Sequence, residues 1–138
     1  MTATPMKLLP KGKGESLLIV DDEMHLRMLL SEMLELHGYQ VACASDGTEA
    51  LTLYKQSMDR QCPFDLVILD LMMPRMGGRE CLERLLEMNP YIKFILSTGL
   101  VESEMDDRGV PAHAGRVLRK PFLFRELVEK VSLLLAEA

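Results

Sequence analysis

The segment Phe64-Asp65-Leu66-Val67-Ile68-Leu69-Asp70-Leu71-Met72-Met73-Pro74 decides the fold of this chain. Its four consecutive apolar residues, 66–69, are too few for a typical helix and are bounded by polar residues. Such a run is typical of a strand that is buried on both faces, as in a parallel sheet. The run ends at Asp70. Because open α/β sheets bind ligands just beyond the carboxyl ends of their strands, Asp70 is placed to meet a ligand.

The composition indicates one soluble domain. The chain has 138 residues, 48% of them hydrophobic and 27% charged, which is enough to bury a core of its own. The formal net charge of −5 argues against a nucleic-acid partner, since phosphate binding requires a basic patch. No apolar run approaches the roughly 20 residues that cross a bilayer, and the N-terminus has no signal-peptide stretch.

The three cysteines form no CxxC pair, so reduced thiols are expected, not a zinc site or a disulfide framework. Reduced thiols indicate a cytoplasmic protein, and the lack of a membrane-crossing run indicates no membrane partner. We expect a monomer or weak dimer.

The chain divides into a leader and a domain. Residues 1–14 contain two prolines and two glycines and are predicted to be a flexible N-terminal leader, with residues 15–138 as the domain. Short apolar runs predict strands at 17–20, 41–44, 66–69, 94–96 and 117–118. Helical periodicity predicts helices at 24–37, 46–58, 78–86, 102–108 and 124–135. This alternation predicts an α/β fold: a flavodoxin-like, doubly wound, five-stranded parallel sheet of order 2-1-3-4-5 with helices on both faces.

Local signals support the helix boundaries. Gly38 follows the first predicted helix, where a left-handed cap is expected. Asp46 and Glu49 have the spacing of a capping box at the start of the second. Five apolar residues of the first helix are predicted to share one buried face; they are Leu26, Leu29, Leu30, Met33 and Leu34.

The strand ends carry the polar residues of interest. The first predicted strand ends at Asp21 and Asp22, the third at Asp70, the fourth at Thr98 and the fifth at Lys120. In the order 2-1-3-4-5 the three aspartates crowd one edge, where they repel one another unless a cation or protons neutralise them. Mg²⁺ suits such an oxygen-rich site and commonly bridges carboxylates to phosphate. The hydroxyl and the ammonium would meet phosphate oxygens, and an ionised Asp can act as a nucleophile toward a phosphoryl group.

Together these motifs resemble the receiver domain of two-component response regulators. The resemblance rests on the acidic pair at 21–22, the segment DLMMPRMGG at 70–78, Ser97-Thr98-Gly99 and Lys120-Pro121. It covers about residues 16–135. The ordered set of motifs is far more specific than any one of them.

The resemblance implies a phosphorelay role. Asp70 would accept a phosphoryl group from a phosphohistidine on a sensor histidine kinase or a histidine phosphotransfer protein. Thr98 and Lys120 would contact that group, and the Lys120–Pro121 bond would be cis. A downstream protein would bind the face formed by the fourth predicted helix, the fifth strand and the closing helix.

The resemblance also implies the metal ligands. Mg²⁺ would be bound by Asp22, by Asp70 and by the backbone carbonyl of Met72, with Asp21 assisting through water.

Three departures from the family pattern bear on signalling. Val117 stands where many members carry an aromatic residue, which places the usual coupling in question. Gly109 and Pro111 predict a short, mobile fourth helix. Met72 and Leu100 flank the phosphoryl site and cannot orient an attacking water, so a long-lived phosphoryl group is expected.

Other functions stay open at this point. A degenerate receiver would act as an unphosphorylated protein-binding module. A small phosphatase with an Asp nucleophile, of the haloacid-dehalogenase kind, would need a second Asp where Met72 stands. A nucleotide or flavin module would need glycines after the first strand, but residues 21–25 are DDEMH. The chain is compatible with a stand-alone regulator and with the receiver of a hybrid sensor kinase.

Overall fold

The computed structural model describes residues 9, 11–73, 75–99 and 116–137. Within them lie five strands and four helices: β1 (Ser16–Val20), α1 (Met24–Leu36), β2 (Gln40–Ala44), α2 (Gly47–Asp59), β3 (Leu66–Asp70), α3 (Gly78–Met88), β4 (Phe94–Thr98), β5 (Val117–Arg119) and α4 (Phe124–Ala136). Every predicted strand forms and is one or two residues longer than predicted. The short helix predicted at 102–108 lies outside the described residues.

The five strands make one parallel sheet in the order β2-β1-β3-β4-β5, as the sequence predicts. β3 is central, and all five of its residues are buried. In its register Ile68 lies between Ile19 of β1 and Ile95 of β4. This order places the carboxyl ends of β1, β3, β4 and β5 side by side.

Helices cover both faces of the sheet and create two apolar layers. Alternate residues of a strand point to opposite faces, so Leu18 packs with α2 and α3 whereas Leu17 packs with α1 and α4. Tyr54 and Phe94 are the largest side chains of the first layer, and both are fully buried. Two complete layers explain why β1 and β3 carry runs of four consecutive apolar residues instead of alternating with polar ones.

The predicted apolar stripe of α1 is wrong at one position. Leu30 and Leu34 are buried, but the side chain of Leu29 is 53% exposed. Leu29 borders an open cleft of about 420 Å³ between α1 and the β5–α4 connection, hereafter the α1 cleft. Its lining comprises Glu23, Leu26, Leu29, Leu30, Met33, Lys120, Pro121, Phe122 and Phe124.

The helix ends follow the predicted signals with one change. Gly38 has φ +100°, the left-handed value expected after α1. Asp46 caps α2 by accepting a hydrogen bond of 2.8 Å from the Glu49 amide. The Glu49 carboxylate accepts from the amide of Ser45 and not from that of Asp46, so only half of the predicted capping box forms.

The described part of the predicted leader contacts the α1–β2 turn. Leu9 is buried in the layer beneath α1 and α4. The amide of Gly12 donates to the His37 carbonyl at 2.8 Å, and that of Gly14 donates to the Gly38 carbonyl at 2.9 Å. The division of the chain at residue 14 stays a prediction. None of the described helices is long and apolar enough to cross a membrane.

Candidate functional site

The carboxyl edge of the sheet brings the predicted site residues together. Asp21 follows β1, Asp70 ends β3, Thr98 ends β4 and Lys120 follows β5. Asp21 and Asp70 are only 3% and 4% exposed, which is rare for carboxylates, and Thr98 is fully buried. Asp22 is exposed, and one carboxylate oxygen from each of the three aspartates lies within 4.8 Å of the others.

Asp21 is fixed by contacts on its backbone and side chain. Its amide donates to the Ala44 carbonyl of β2 at 3.2 Å. Its carbonyl accepts from Arg27 Nη1 at 2.8 Å, and its Oδ1 accepts from the amide of Glu23 at 2.9 Å. Asp21 Oδ2 lies 2.9 Å from Lys120 Nζ. Both carboxylate oxygens of Asp21 are therefore in use.

Asp70 is buried among competing electrostatic influences. Its Oδ1 accepts from the Met72 amide at 3.0 Å, and its Oδ2 lies 3.5 Å from Lys120 Nζ. Burial is the main cause that raises the pKa of Asp70, and the nearby charge of Asp21 adds to it. The Met72 amide and Lys120 act in the opposite direction but do not cancel the rise.

Lys120 is the cation of the cluster. Burial of its ammonium disfavours the charge, but hydrogen bonds and attraction from Asp21 and Asp70 outweigh burial and raise the pKa of Lys120. Its backbone amide donates to the Thr98 carbonyl at 2.7 Å. The bond from Lys120 to Pro121 is cis, as the resemblance implies.

The cluster carries an excess of negative charge when ionised. It holds three carboxylates and a single ammonium within the described part of the chain. Carboxylate oxygens are hard ligands that suit cations such as Mg²⁺ and Ca²⁺. The three aspartates could therefore hold a metal ion, and the donor chemistry fits one.

The β3–α3 connection approaches the strand end very closely. A Cβ atom added to Gly78 would lie 2.4 Å from the Asp70 carbonyl oxygen and 2.6 Å from the Cα of Leu71. A Cβ added to Gly77 would have open space around it. Only glycine at position 78 lets α3 begin directly against the residue that follows β3.

Several predictions concern neighbouring residues. Met72 has an exposed side chain, and Val117 is half-buried against the layer of α2 and α3. Leu100 and the predicted fourth helix lie outside the described residues. The predictions of a mobile helix and a long phosphoryl lifetime therefore stay predictions.

Sequence reasoning missed Arg27. It is half-buried in the first turn of α1, and its guanidinium binds the backbone of Asp21. A basic residue five positions after the second aspartate of the pair, in the first turn of the predicted helix, is the signal that points to it.

Known proteins match this chain along most of its length. Residues 17–132 match the response regulator receiver domain. Chemotaxis protein CheY of Thermotoga maritima is 31% identical over 120 residues, which cover 86% of this chain and 96% of CheY. Transcriptional regulatory protein CpxR of Escherichia coli is 37% identical over 120 residues, covering 86% of this chain and 48% of CpxR. The chain belongs to the response regulator receiver domain family.

Solved structures agree with that membership. A receiver domain protein from Clostridium thermocellum has a TM-score of 0.76 and 26% identity, covering 88% of this chain and 94% of its own. Response regulator TrrA from Thermotoga maritima, solved in complex with Mg²⁺ and BeF, has a TM-score of 0.72 and 35% identity, covering 87% and 98%. The chain thus spans almost all of CheY and TrrA but about half of CpxR.

Proposed function

We propose that Asp70 accepts a phosphoryl group from a phosphohistidine on a sensor histidine kinase or a histidine phosphotransfer protein. The observation that carries the proposal is a buried carboxylate at the end of the central strand, 3.5 Å from a lysine ammonium, in a receiver domain. The phosphorylated domain then signals to a downstream protein by a change of conformation. The protein acts in the cytoplasm.

Contacts within the cluster favour Asp70 as the nucleophile. Both carboxylate oxygens of Asp21 are bound, by the Glu23 amide and by Lys120 at 2.9 Å in each case. Asp22 is exposed and follows β1, a neighbour of the central strand, at two residues beyond the strand end. Asp70 keeps its Oδ2 at the longer distance of 3.5 Å from Lys120, so this oxygen is held less tightly than either oxygen of Asp21.

The transfer is a substitution at phosphorus. An ionised Asp70 oxygen forms a bond to phosphorus while the bond from phosphorus to the donor's imidazole nitrogen breaks. That nitrogen keeps the electron pair and takes up a proton. Lys120 stabilises the charge on the phosphoryl oxygens, and the Thr98 hydroxyl at the neighbouring strand end binds the same group.

Mg²⁺ is the metal that this donor set fits best. Asp22, Asp70 and the backbone carbonyl of Met72 would hold it, with Asp21 acting through water. The three carboxylates within 4.8 Å and the Mg²⁺ complex of the related TrrA support this assignment. When bound, Mg²⁺ offsets the charge of the carboxylates and of the phosphoryl oxygens.

The surroundings of the site favour a protein donor. The α1 cleft is mostly apolar and reaches Lys120, so an apolar protein surface can pack beside the lysine that lies 3.5 Å from Asp70. Met24, Met28 and Leu29 on α1 are each more than half exposed. Exposed methionines are common at surfaces that adapt to a partner.

The test is the intact mass of the protein after incubation with acetyl phosphate, with and without Mg²⁺. Wild type and Asp65→Asn should gain one phosphoryl group in a Mg²⁺-dependent way, and Asp70→Asn should gain none. Asp65 is the matched control because it stands at the other end of the same strand. A folded wild type without an adduct would favour the degenerate receiver, and multiple turnover of acetyl phosphate with no adduct would favour a phosphatase.

A further inference from the structure

Arg27 holds the loop that carries two of the three clustered aspartates. Its Nη1 donates to the backbone carbonyl of Asp21 at 2.8 Å, and its own amide donates to the carbonyl of Glu23 at 3.0 Å. Arg27 thus closes a ring from the first turn of α1 back to the end of β1. Its half-buried position limits the competition from water for this hydrogen bond.

This hydrogen bond acts on Asp22 through the peptide plane. The carbonyl of Asp21 and the amide of Asp22 belong to one rigid peptide unit. The Asp21 amide, on the other side of the residue, is bound to the Ala44 carbonyl at 3.2 Å. With both peptide groups of Asp21 fixed, the direction in which Asp22 leaves the strand is fixed as well, although its side chain is exposed.

We propose that Arg27 is a positioning residue for metal binding: by fixing the peptide between Asp21 and Asp22 it holds the acidic pair ready to share a cation with Asp70. The inference rests on the proposed function, because it concerns the same metal site. Preorganisation of this kind removes an ordering cost that would otherwise weaken the affinity. Residues that orient metal ligands without touching the metal typically change the affinity by about 10–100-fold when they are replaced.

The role differs from simple support of the fold and from a contribution of charge. A purely structural residue would change stability without changing Mg²⁺ affinity in the folded protein. A purely electrostatic residue could be replaced by lysine, which keeps the charge but lacks the planar guanidinium that reaches the carbonyl of Asp21. The two substitutions Arg27→Met and Arg27→Lys therefore separate the three roles.

The experiment is a Mg²⁺ titration followed by NMR or calorimetry on wild type, Arg27→Met, Arg27→Lys and the control Arg84→Met. Arg84 is an exposed arginine of α3 that pairs with Glu80 at 3.1 Å, so its replacement removes the same charge far from the loop. We expect about a tenfold weaker Mg²⁺ affinity in both Arg27 variants and no change in Arg84→Met. At saturating Mg²⁺ the final extent of labelling of Arg84→Met by acetyl phosphate should match wild type.

A second measurement needs no metal. The amides of Asp21 and Glu23 donate to the Ala44 carbonyl and to Asp21 Oδ1. Their hydrogen exchange should be faster in metal-free Arg27→Met than in wild type, while exchange in β3 is unchanged. Equal Mg²⁺ affinity in folded wild type and Arg27→Met would overturn the inference, as would full recovery by Arg27→Lys. A wild type that binds no Mg²⁺ would instead overturn the proposed metal site itself.

Discussion

The two ends of β3 carry the same residue type in opposite circumstances. Asp65, just before the strand, is exposed and accepts a hydrogen bond of 2.8 Å from the amide of Ser16, while its own amide donates to the Ser16 carbonyl at 2.8 Å. Asp70, at the other end, is buried beside Asp21 and Lys120, and burial raises its pKa. Asp65 joins β3 to β1, whereas Asp70 lies close to two other carboxylates.

This difference distinguishes a polar residue that supports the fold from one that serves the function. The contacts of Asp65 satisfy its carboxylate and help to set the register of two strands. The contacts of Asp70 leave its charge poorly compensated, an arrangement that a fold selected for stability alone would avoid. A charge kept under such conditions indicates a site for a cation or a phosphoryl group.

The largest expected effect concerns the close approach of α3 to the functional end of β3. Gly78→Ala should lower the free energy of unfolding by about 2–3 kcal/mol, because its Cβ would overlap backbone atoms of Asp70 and Leu71 that cannot move aside cheaply. Gly77→Ala should lower it by less, about 0.5–1 kcal/mol, since that Cβ would meet open space and only the preference for glycine over alanine at the N-cap of α3 is lost. Urea denaturation of both variants measures the difference. A loss of stability in Gly78→Ala as small as that in Gly77→Ala would show that α3 can shift to admit the added Cβ.

A smaller effect of opposite sign is expected at Asp70 itself. Asp70→Asn should raise the free energy of unfolding of the metal-free protein at pH 7 by about 1 kcal/mol, because one of three clustered carboxylates becomes neutral. Urea denaturation in the presence of a chelator measures this. A less stable variant would mean that the contact with Lys120 outweighs the repulsion and the burial.

The pH dependence of that gain follows from the direction of the pKa shift. Because the folded protein keeps the Asp70 proton to a higher pH than the unfolded chain, the stability due to this proton is complete below the ordinary value of 3.8. It is lost as the pH rises through the raised pKa. The advantage of Asp70→Asn should therefore be absent at low pH and appear as the wild-type carboxyl ionises. A gain independent of pH would point to packing instead of charge.

The smallest effect is expected at the structural end of β3. Asp65→Asn should lower the free energy of unfolding by about 0.5 kcal/mol, since an exposed charged acceptor becomes a neutral one while the Ser16 amide keeps a partner. The same urea denaturation measures it, at constant salt. A gain in stability here, as at Asp70, would remove the contrast between the two ends.

Sequence reasoning predicts which residues lie together at the carboxyl edge, because each of them stands at the end of a strand. Once short apolar runs alternate with helical periodicity, a parallel sheet follows, and all its carboxyl ends share one edge. Asp21, Asp70, Thr98 and Lys120 come together for that reason, with no need for knowledge of their side-chain contacts. The strand limits are also local, since polar residues or turns bound each apolar run.

The features that depend on tertiary packing were not predictable in this way. The exposure of Leu29 follows from the distance between α1 and the β5–α4 connection, which periodicity along one helix does not contain. The contact of Arg27 with Asp21 depends on a side-chain rotamer, and the bond of Gly12 to His37 joins segments that carry no common motif. Each of these needs the three-dimensional arrangement of two elements.

The ion pair of Lys120 with Asp21 joins residues that are 99 positions apart. Contacts between such distant parts of a chain close late in folding, because the entropy of ordering the intervening residues must be lost first. A nascent chain that has not yet emerged beyond β4 has the three aspartates but no lysine to complete their cluster. The complete cluster, and with it the ability to receive a signal, therefore forms only after the last strand has been synthesised and has joined the sheet.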